Sequence, residues 1–391
     1  MRDIYFDNSA TTKVSEAAAA AAVAAMGENY GNPSSLHGKG FKALQLLTAS
    51  RLALARALGV LEKEIIFTSG GSEANNMALL GVAELKARRG GSILVSAAEH
   101  PSLLEVAKYL AQRGFEVQYI PVDTQGLIDI ESFERLLVPA TIFVGINQVN
   151  NETGTVQDIV QLGSLIRQKA PQAHYHLDGV QGLGKLPLEL KRAQADSFAI
   201  SGHKIHAPKG IGALWLKEDR RLPPLIKGGG QEHGLRSGTE NMPAIAALAV
   251  AITDAIREQV ERTAAMSRVR LALAQKLLTI DDTALNGSPL DKAAPHILNI
   301  SFIGTKSEVL LHYLEKEGIF VSAGSACAAR KTAASHVLQA MGLPVERLDS
   351  ALRFSFSAHN TVEEAAEAAS LIAQAVAEIR ALNKGRRNKT Y

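Results

Sequence analysis

Cysteine is almost absent: Cys327 stands alone among 391 residues. A single thiol excludes an intrachain disulfide and any cysteine-rich metal site, and no metal is expected. Aromatic residues are scarce, at 5%, and neither charge sign dominates, the formal net charge being +3. That balance leaves no electrostatic footprint for nucleic acid. The one basic run, Lys384-Gly-Arg-Arg-Asn-Lys389, reads as a frayed, solvated end. No apolar run reaches bilayer length, so no membrane partner is expected. The opening residues, Met1 to Asp7, lack the form of a signal peptide, and a cytoplasmic location is the expectation. P-loop and GxGxxG patterns are missing too, which argues against ATP and NAD.

What is present is an ordinary globular balance, 46% apolar and 21% charged, long enough for a large domain and a smaller one. Ser15 caps an alanine-rich helix over roughly 16–26. From residue 65, short buried strands alternate with helices. The pattern predicts a mostly parallel sheet, of about seven strands, flanked by helices: an α/β fold. We expect a large domain over 15–255 and a smaller α+β domain built from 1–14 and 256–391. One long helix, about Asn241–Leu278, is expected to bridge them.

In such sheets ligands sit beyond the carboxyl ends of the strands. His100, Asn151, Asp178 and Lys204 all fall at predicted strand ends. Singly, each has a plain alternative as a structural histidine, a cap or a solvated charge; together at one rim they form a candidate site. Lys204 follows the apolar run Ser197–Ser201, and a lysine held there can be desolvated until its neutral amine attacks carbonyls. Thr68-Ser-Gly-Gly-Ser-Glu73 opens a helix. Its free N–H groups, with the hydroxyls of Ser69 and Ser72, favour a phosphate, although a plain strand-to-helix turn reads the same way. The loop Gly228–Thr239 carries Arg236, Ser237 and Thr239 and suits anion binding better than a linker needs. Cys327 lies among alanine, glycine and serine, a setting that favours exposure over burial. Arg353 could pair with a carboxylate through two parallel hydrogen bonds, or form a structural salt bridge.

These motifs resemble, in order and nearly end to end, the cysteine desulfurases of the NifS/IscS type, within the fold-type I pyridoxal phosphate enzymes (class V aminotransferase family). The resemblance rests on Thr68-Ser-Gly-Gly-Ser-Glu-Ala-Asn-Asn76, Glu99-His-Pro-Ser102, Asn150-Asn-Glu-Thr-Gly154, Leu177-Asp-Gly-Val-Gln181, Ser201-Gly-His-Lys204, Arg236-Ser-Gly-Thr239 and Gly324-Ser-Ala-Cys327. It implies pyridoxal 5'-phosphate anchored as a Schiff base on Lys204, with Asp178 at the pyridine nitrogen and His100 on the ring face, assisting proton transfer. Gln181 would meet the phenolic oxygen. Gly71, Ser72, Ser201 and His203 would hold the phosphate, with Thr239 reaching in from the second subunit of a homodimer. Asn151, in preference to Asn150, and Arg353 would bind the substrate carboxylate.

The implied reaction removes sulfur from L-cysteine, releases L-alanine and leaves a persulfide on Cys327 for an acceptor protein in iron–sulfur assembly or in tRNA or cofactor thiolation. An aminotransferase or selenocysteine lyase on the same fold, and a non-catalytic sulfur-transfer scaffold, are the alternatives. An aminotransferase has no use for Cys327, and a scaffold none for Lys204, Asp178 and His100. Two departures leave the acceptor open: the segment after Cys327 lacks a proline common in housekeeping members, and the chain ends soon after its last helix. Gly179 stands where alanine is common, a change expected to be tolerable.

Overall fold

The computed structural model describes residues 3–88, 90–323 and 335–387. A short strand, β1 (Ile4–Tyr5), comes first. β2 (Ile65–Thr68), β3 (Ser92–Ser96), β4 (Glu116–Ile120), β5 (Thr141–Asn147), β6 (His174–Asp178), β7 (Ser197–Ser201) and β8 (Gly212–Leu216) form one sheet in the order β2-β8-β7-β6-β5-β3-β4. The pairs from β7 to β4 are parallel, whereas β8 runs antiparallel to both its neighbours. Every residue of β3, β5, β6, β7 and β8 is buried. That is why β3, β5, β7 and β8 read as largely apolar runs: helices cover both faces of the sheet. Two core clusters lie against the sheet, one built around Leu94, Val144, Leu177 and Ile200, the other around Ile93, Val95, Phe143 and Leu214.

β9 (Thr283–Leu285), β10 (Ile297–Phe302) and β12 (Ala351–Ser355) make a three-stranded antiparallel sheet, while β11 (Ile319–Phe320) pairs in parallel with β1. These strands and the helices Gln259–Leu277 and Val362–Arg387 share a separate core around Phe302, Leu314, Phe354 and Ile372. Ile4 and Phe6 belong to that core. We propose the boundary between the two domains at residues 255–256, because the cores change over just beyond it.

The expected bridging helix is in fact two. Met242–Arg257 packs in the large core and Gln259–Leu277 in the small one, with a break at Glu258 (φ −104°, ψ 13°). Nothing in the intervening sequence is a glycine or proline. Tertiary packing, each half following its own core, makes the break, and Glu258 pairs with Arg257 and Arg262 across it. The alanine-rich helix, Glu16–Gly27, is present, with Ser15 accepting from the Ala18 N–H. Its buried Ala18 contributes to the large core beside Met242–Arg257. No described helix is long and apolar enough to cross a membrane. Among the described residues no group of three or more His, Cys, Asp or Glu side chains could hold a metal ion.

Candidate active site

β3, β5, β6 and β7 all end on one rim, and a cavity of about 630 Å³ opens there. His100, Asn151, Asp178, Gln181, Ser201, His203, Lys204 and Arg353 line it, together with Gly71 and Ser72 of the strand-to-helix turn. The helix after that turn spans Gly71–Lys86. Its N-cap, Gly70, has φ 155°, a conformation side chains rarely adopt, and offers no side chain to the first-turn N–H groups. A Cβ on Gly71 would lie 2.6 Å from Val180 Cγ2, so the turn must be bare for β6's loop to approach it. The result is a row of backbone donors facing the cavity at a positive helix end.

Lys204 sits in the turn after β7 and reaches the N-terminal segment. Its Nζ donates to the carbonyl oxygens of Ser9 at 2.5 Å and Ala10 at 2.8 Å. The same segment is tied to the lysine's own turn. Thr12 Oγ1 donates to the His203 carbonyl and accepts from the His206 N–H, and Thr11 Oγ1 lies 3.2 Å from His203 Nδ1. Residues 9–12 are therefore a strap across the site. Their part was not legible from sequence, since only long-range pairing of β1 brings them there.

Burial, and then the charge of Lys204, pull His203 down to about 4. Burial likewise lowers His100, with Asp178 opposing the shift. Asp178 is the last residue of β6 and accepts from Asn75 Nδ2 at 2.7 Å and the Val180 N–H at 3.0 Å. Gln181 donates to the Ser9 carbonyl and lies 3.3 Å from His296 Nε2. Lys185, which the sequence reading passed over, is half-buried beside Lys204 and donates to its carbonyl at 3.1 Å; loss of solvent and the charge of Lys204 lower it to about 7.

Arg353 is 2% exposed. It donates to Asp7 Oδ1 at 2.8 Å and to the Asn151 carbonyl at 3.1 Å. Asn150 is spent on structure: its Oδ1 accepts from the N–H groups of Glu152 and Thr153, and its Nδ2 donates to the Ala98 carbonyl. Asn151 lines the cavity. Glu73 is pulled two ways. Burial would raise it, but hydrogen bonds from Arg236 and Ser69 hold it below the usual carboxylate range. Thr239 does not line the main cavity of its own chain. It lies with Arg236 in an adjoining hollow of about 290 Å³ that shares Ser69 and Gly210 with it.

Cys327 lies outside the described residues. Ser335 and His336, the first described residues beyond it, are tied to two buried acids: Ser335 Oγ donates to Glu152, and His336 Nε2 to the Glu99 carbonyl at 2.9 Å. Burial, and then the charge of Asp178, push Glu99 well above the usual range.

The sequence matches the aminotransferase class-V family over residues 4–367. It is 39% identical to cysteine desulfurase IscS 1 of Archaeoglobus fulgidus across 92% of this chain and 93% of that protein. Among solved structures, a NifS-like protein superposes with a TM-score of 0.91 at 35% identity, covering 96% of this chain and 100% of its own. The structure titled SspA in complex with cysteine gives a TM-score of 0.80 at 31% identity, over 92% of this chain and 100% of that one.

Proposed function

From the premise that the chain belongs to the class-V aminotransferase family, we propose that it is a pyridoxal 5'-phosphate-dependent cysteine desulfurase. The observation that carries the reading is the single rim on which an amine, a carboxylate and a phosphate-type turn converge: Lys204, Asp178 and Gly70–Ser72. The donor set fits this cofactor. The uncapped helix end at Gly70 takes an anion, with the Ser72 and Ser201 hydroxyls and the His203 imidazole at hand. Asp178, fixed by Asn75 and the Val180 N–H, presents a carboxylate for the pyridine nitrogen. Gln181 serves the phenolic oxygen, His100 the ring face, and Lys204 the covalent anchor. The volume leaves room for an amino acid beside the cofactor. When bound, the cofactor supplies the electron sink that makes the bonds around the substrate's α-carbon labile.

The chain's own residues do the rest. Arg353, steered by Asp7 and the Asn151 carbonyl, binds the L-cysteine carboxylate together with the Asn151 side chain. The Ser9 and Ala10 carbonyls keep the Lys204 amine in the cavity, where its Nζ moves the α-proton. Cys327, as thiolate, attacks the substrate sulfur. The S–S bond forms, the C–S bond breaks, and the electron pair left on the β-carbon takes a proton, so that L-alanine leaves and a persulfide stays on Cys327. An acceptor protein, in iron–sulfur assembly or thiolation, then removes it. The working unit of this proposal is a homodimer in the cytoplasm, a reducing compartment that suits a free thiol. Thr239 then serves the partner's phosphate. Tyr30, Leu36, Phe41 and Leu44, all exposed around one helix start, support a second copy as cover.

The test is incubation of the purified, cofactor-loaded protein with L-cysteine, assaying alanine and sulfide. The parent forms both, and Cys327→Ala loses at least a hundredfold in alanine. No alanine from the parent sinks the function; an undiminished Cys327→Ala sinks the nucleophile.

A further inference from the structure

Behind Asp178 runs a buried polar chain of which the mechanism above uses only the last link, Asn75. It rests on the site reading given above, and starts from Asp178. A carboxylate only accepts. Asn75 must therefore point its Nδ2 at Asp178 Oδ2, 2.7 Å away, which turns its Oδ1 toward His176 Nε2 at 2.9 Å. An amide oxygen only accepts, so His176 carries its proton on Nε2. His176 is 0% exposed and burial lowers it to about 3, so it is neutral and its Nδ1 is an acceptor. Ser197 Oγ, 2.7 Å from that nitrogen, has one proton and gives it there. The same oxygen must then accept from His174 Nε2, also 2.7 Å away. Phe143 stacks on both imidazoles, at 5.9 Å between ring centroids, and keeps them dry.

Asn75 has a second N–H, which goes to Ser102 Oγ at 2.8 Å. Ser102 Oγ passes its own proton to His100 Nδ1 at 2.8 Å, and the Ser102 backbone N–H donates to the same nitrogen at 3.1 Å. Two donors converge on one ring nitrogen.

We propose that this one-way chain, from His174 through Ser197 and His176 to Asn75, is a positioning device that holds Asp178 as a carboxylate acceptor and, through Ser102, locks His100 with its proton on Nε2. Only Nε2 of His100 can then give or take a proton at the substrate. His174, Ser197 and His176 lie outside the cavity lining, and Asn75, which reaches its wall, spends its amide on Asp178, Ser102 and His176; all four act through Asp178 and His100.

The direct test is long-range proton–nitrogen NMR on cofactor-loaded protein carrying ring-labelled histidine, with each signal assigned by single substitution. His100, His174 and His176 all show a protonated Nε2 and an acceptor-type Nδ1. A proton on Nδ1 of His100 or His176 overturns the proposal, whatever the activity with L-cysteine, so its failure is distinct from failure of the desulfurase reading. A kinetic pair supplies the second arm. His176→Leu removes the donor to Asn75, frees the amide to rotate, and lowers kcat roughly tenfold with KM little changed, the size of one lost buried hydrogen bond. His176→Gln, whose amide N–H can donate in its place, restores most of that loss and keeps His100 in its Nε2–H form. A His176→Leu protein with parental kcat and an unaltered His100 signal contradicts the proposal. Should His176→Leu fail to fold, the NMR result on the parent still decides.

Discussion

Gly179 shows how tightly single residues frame this site. A Cβ there would fall 1.8 Å from the Phe198 ring. Beside this phenylalanine, glycine is more than a tolerable replacement for alanine, because an added methyl group has no room. Phe198 on β7 pairs with Leu177 on β6, so a displaced ring would press on the strand that ends in Asp178. Gly179→Ala should lose about 2 kcal/mol or more of stability by overpacking. Phe198→Leu in the same chain should return at least half of it, as a urea-denaturation double-mutant cycle would show. Additive losses would mean that the two positions do not compete for one space. At this scale the sequence was readable where chemistry and strand ends coincide, as at Lys204, Asp178 and His100. It was silent on Asn75, Ser9 and Lys185, because nothing local marks a helix asparagine or a loop carbonyl that becomes important only through distant partners.

The strap of residues 9–12 is the element that most clearly joins the two domains at the site. β1 ties its start to β11 in the small domain, while Thr12 binds both sides of the turn that contains Lys204. Removing the Thr12 hydroxyl leaves the His203 carbonyl and the His206 N–H without that partner. Thr12→Val should therefore cost about 1–3 kcal/mol and speed loss of bound cofactor, measurable from the decay of its visible absorbance on dilution. Unchanged cofactor retention would confine the strap to a structural part. Elements were legible wherever apolar runs or alanine set them apart. The break at Glu258 was not, because periodicity is continuous across Arg257-Glu258-Gln259 and only the separation of the two cores creates it.

For the whole molecule, the buried histidines set the response to acid. Burial lowers His174 to about 4, His176 to about 3, and His203 and His206 each to about 4. Each is neutral when folded and has an ordinary value of 6.5 when unfolded. Between those limits the unfolded chain binds more protons at these positions, so their contribution to stability is full above pH 6.5 and falls as pH drops toward 4. The two fully buried groups, His174 and His176, each contribute roughly 3 kcal/mol to that loss by pH 4. Urea midpoints should decline steeply as pH falls from 6.5 to 4; a midpoint unchanged from pH 7 to 5 would show these side chains to be solvated. The parallel core was foreseeable from alternating strands and helices. The antiparallel entry of β8 and the pairing of β1 with β11 were not, since register between distant segments leaves no local signature.

The central claim concerns where the sulfur goes. Peptide mass spectrometry of the cofactor-loaded protein after brief exposure to L-cysteine, without reductant, tests it most directly. The account predicts one added sulfur atom on the peptide containing Cys327, in step with the alanine released, and none in Lys204→Ala. Alanine released by the parent with no sulfur retained on Cys327 would contradict it.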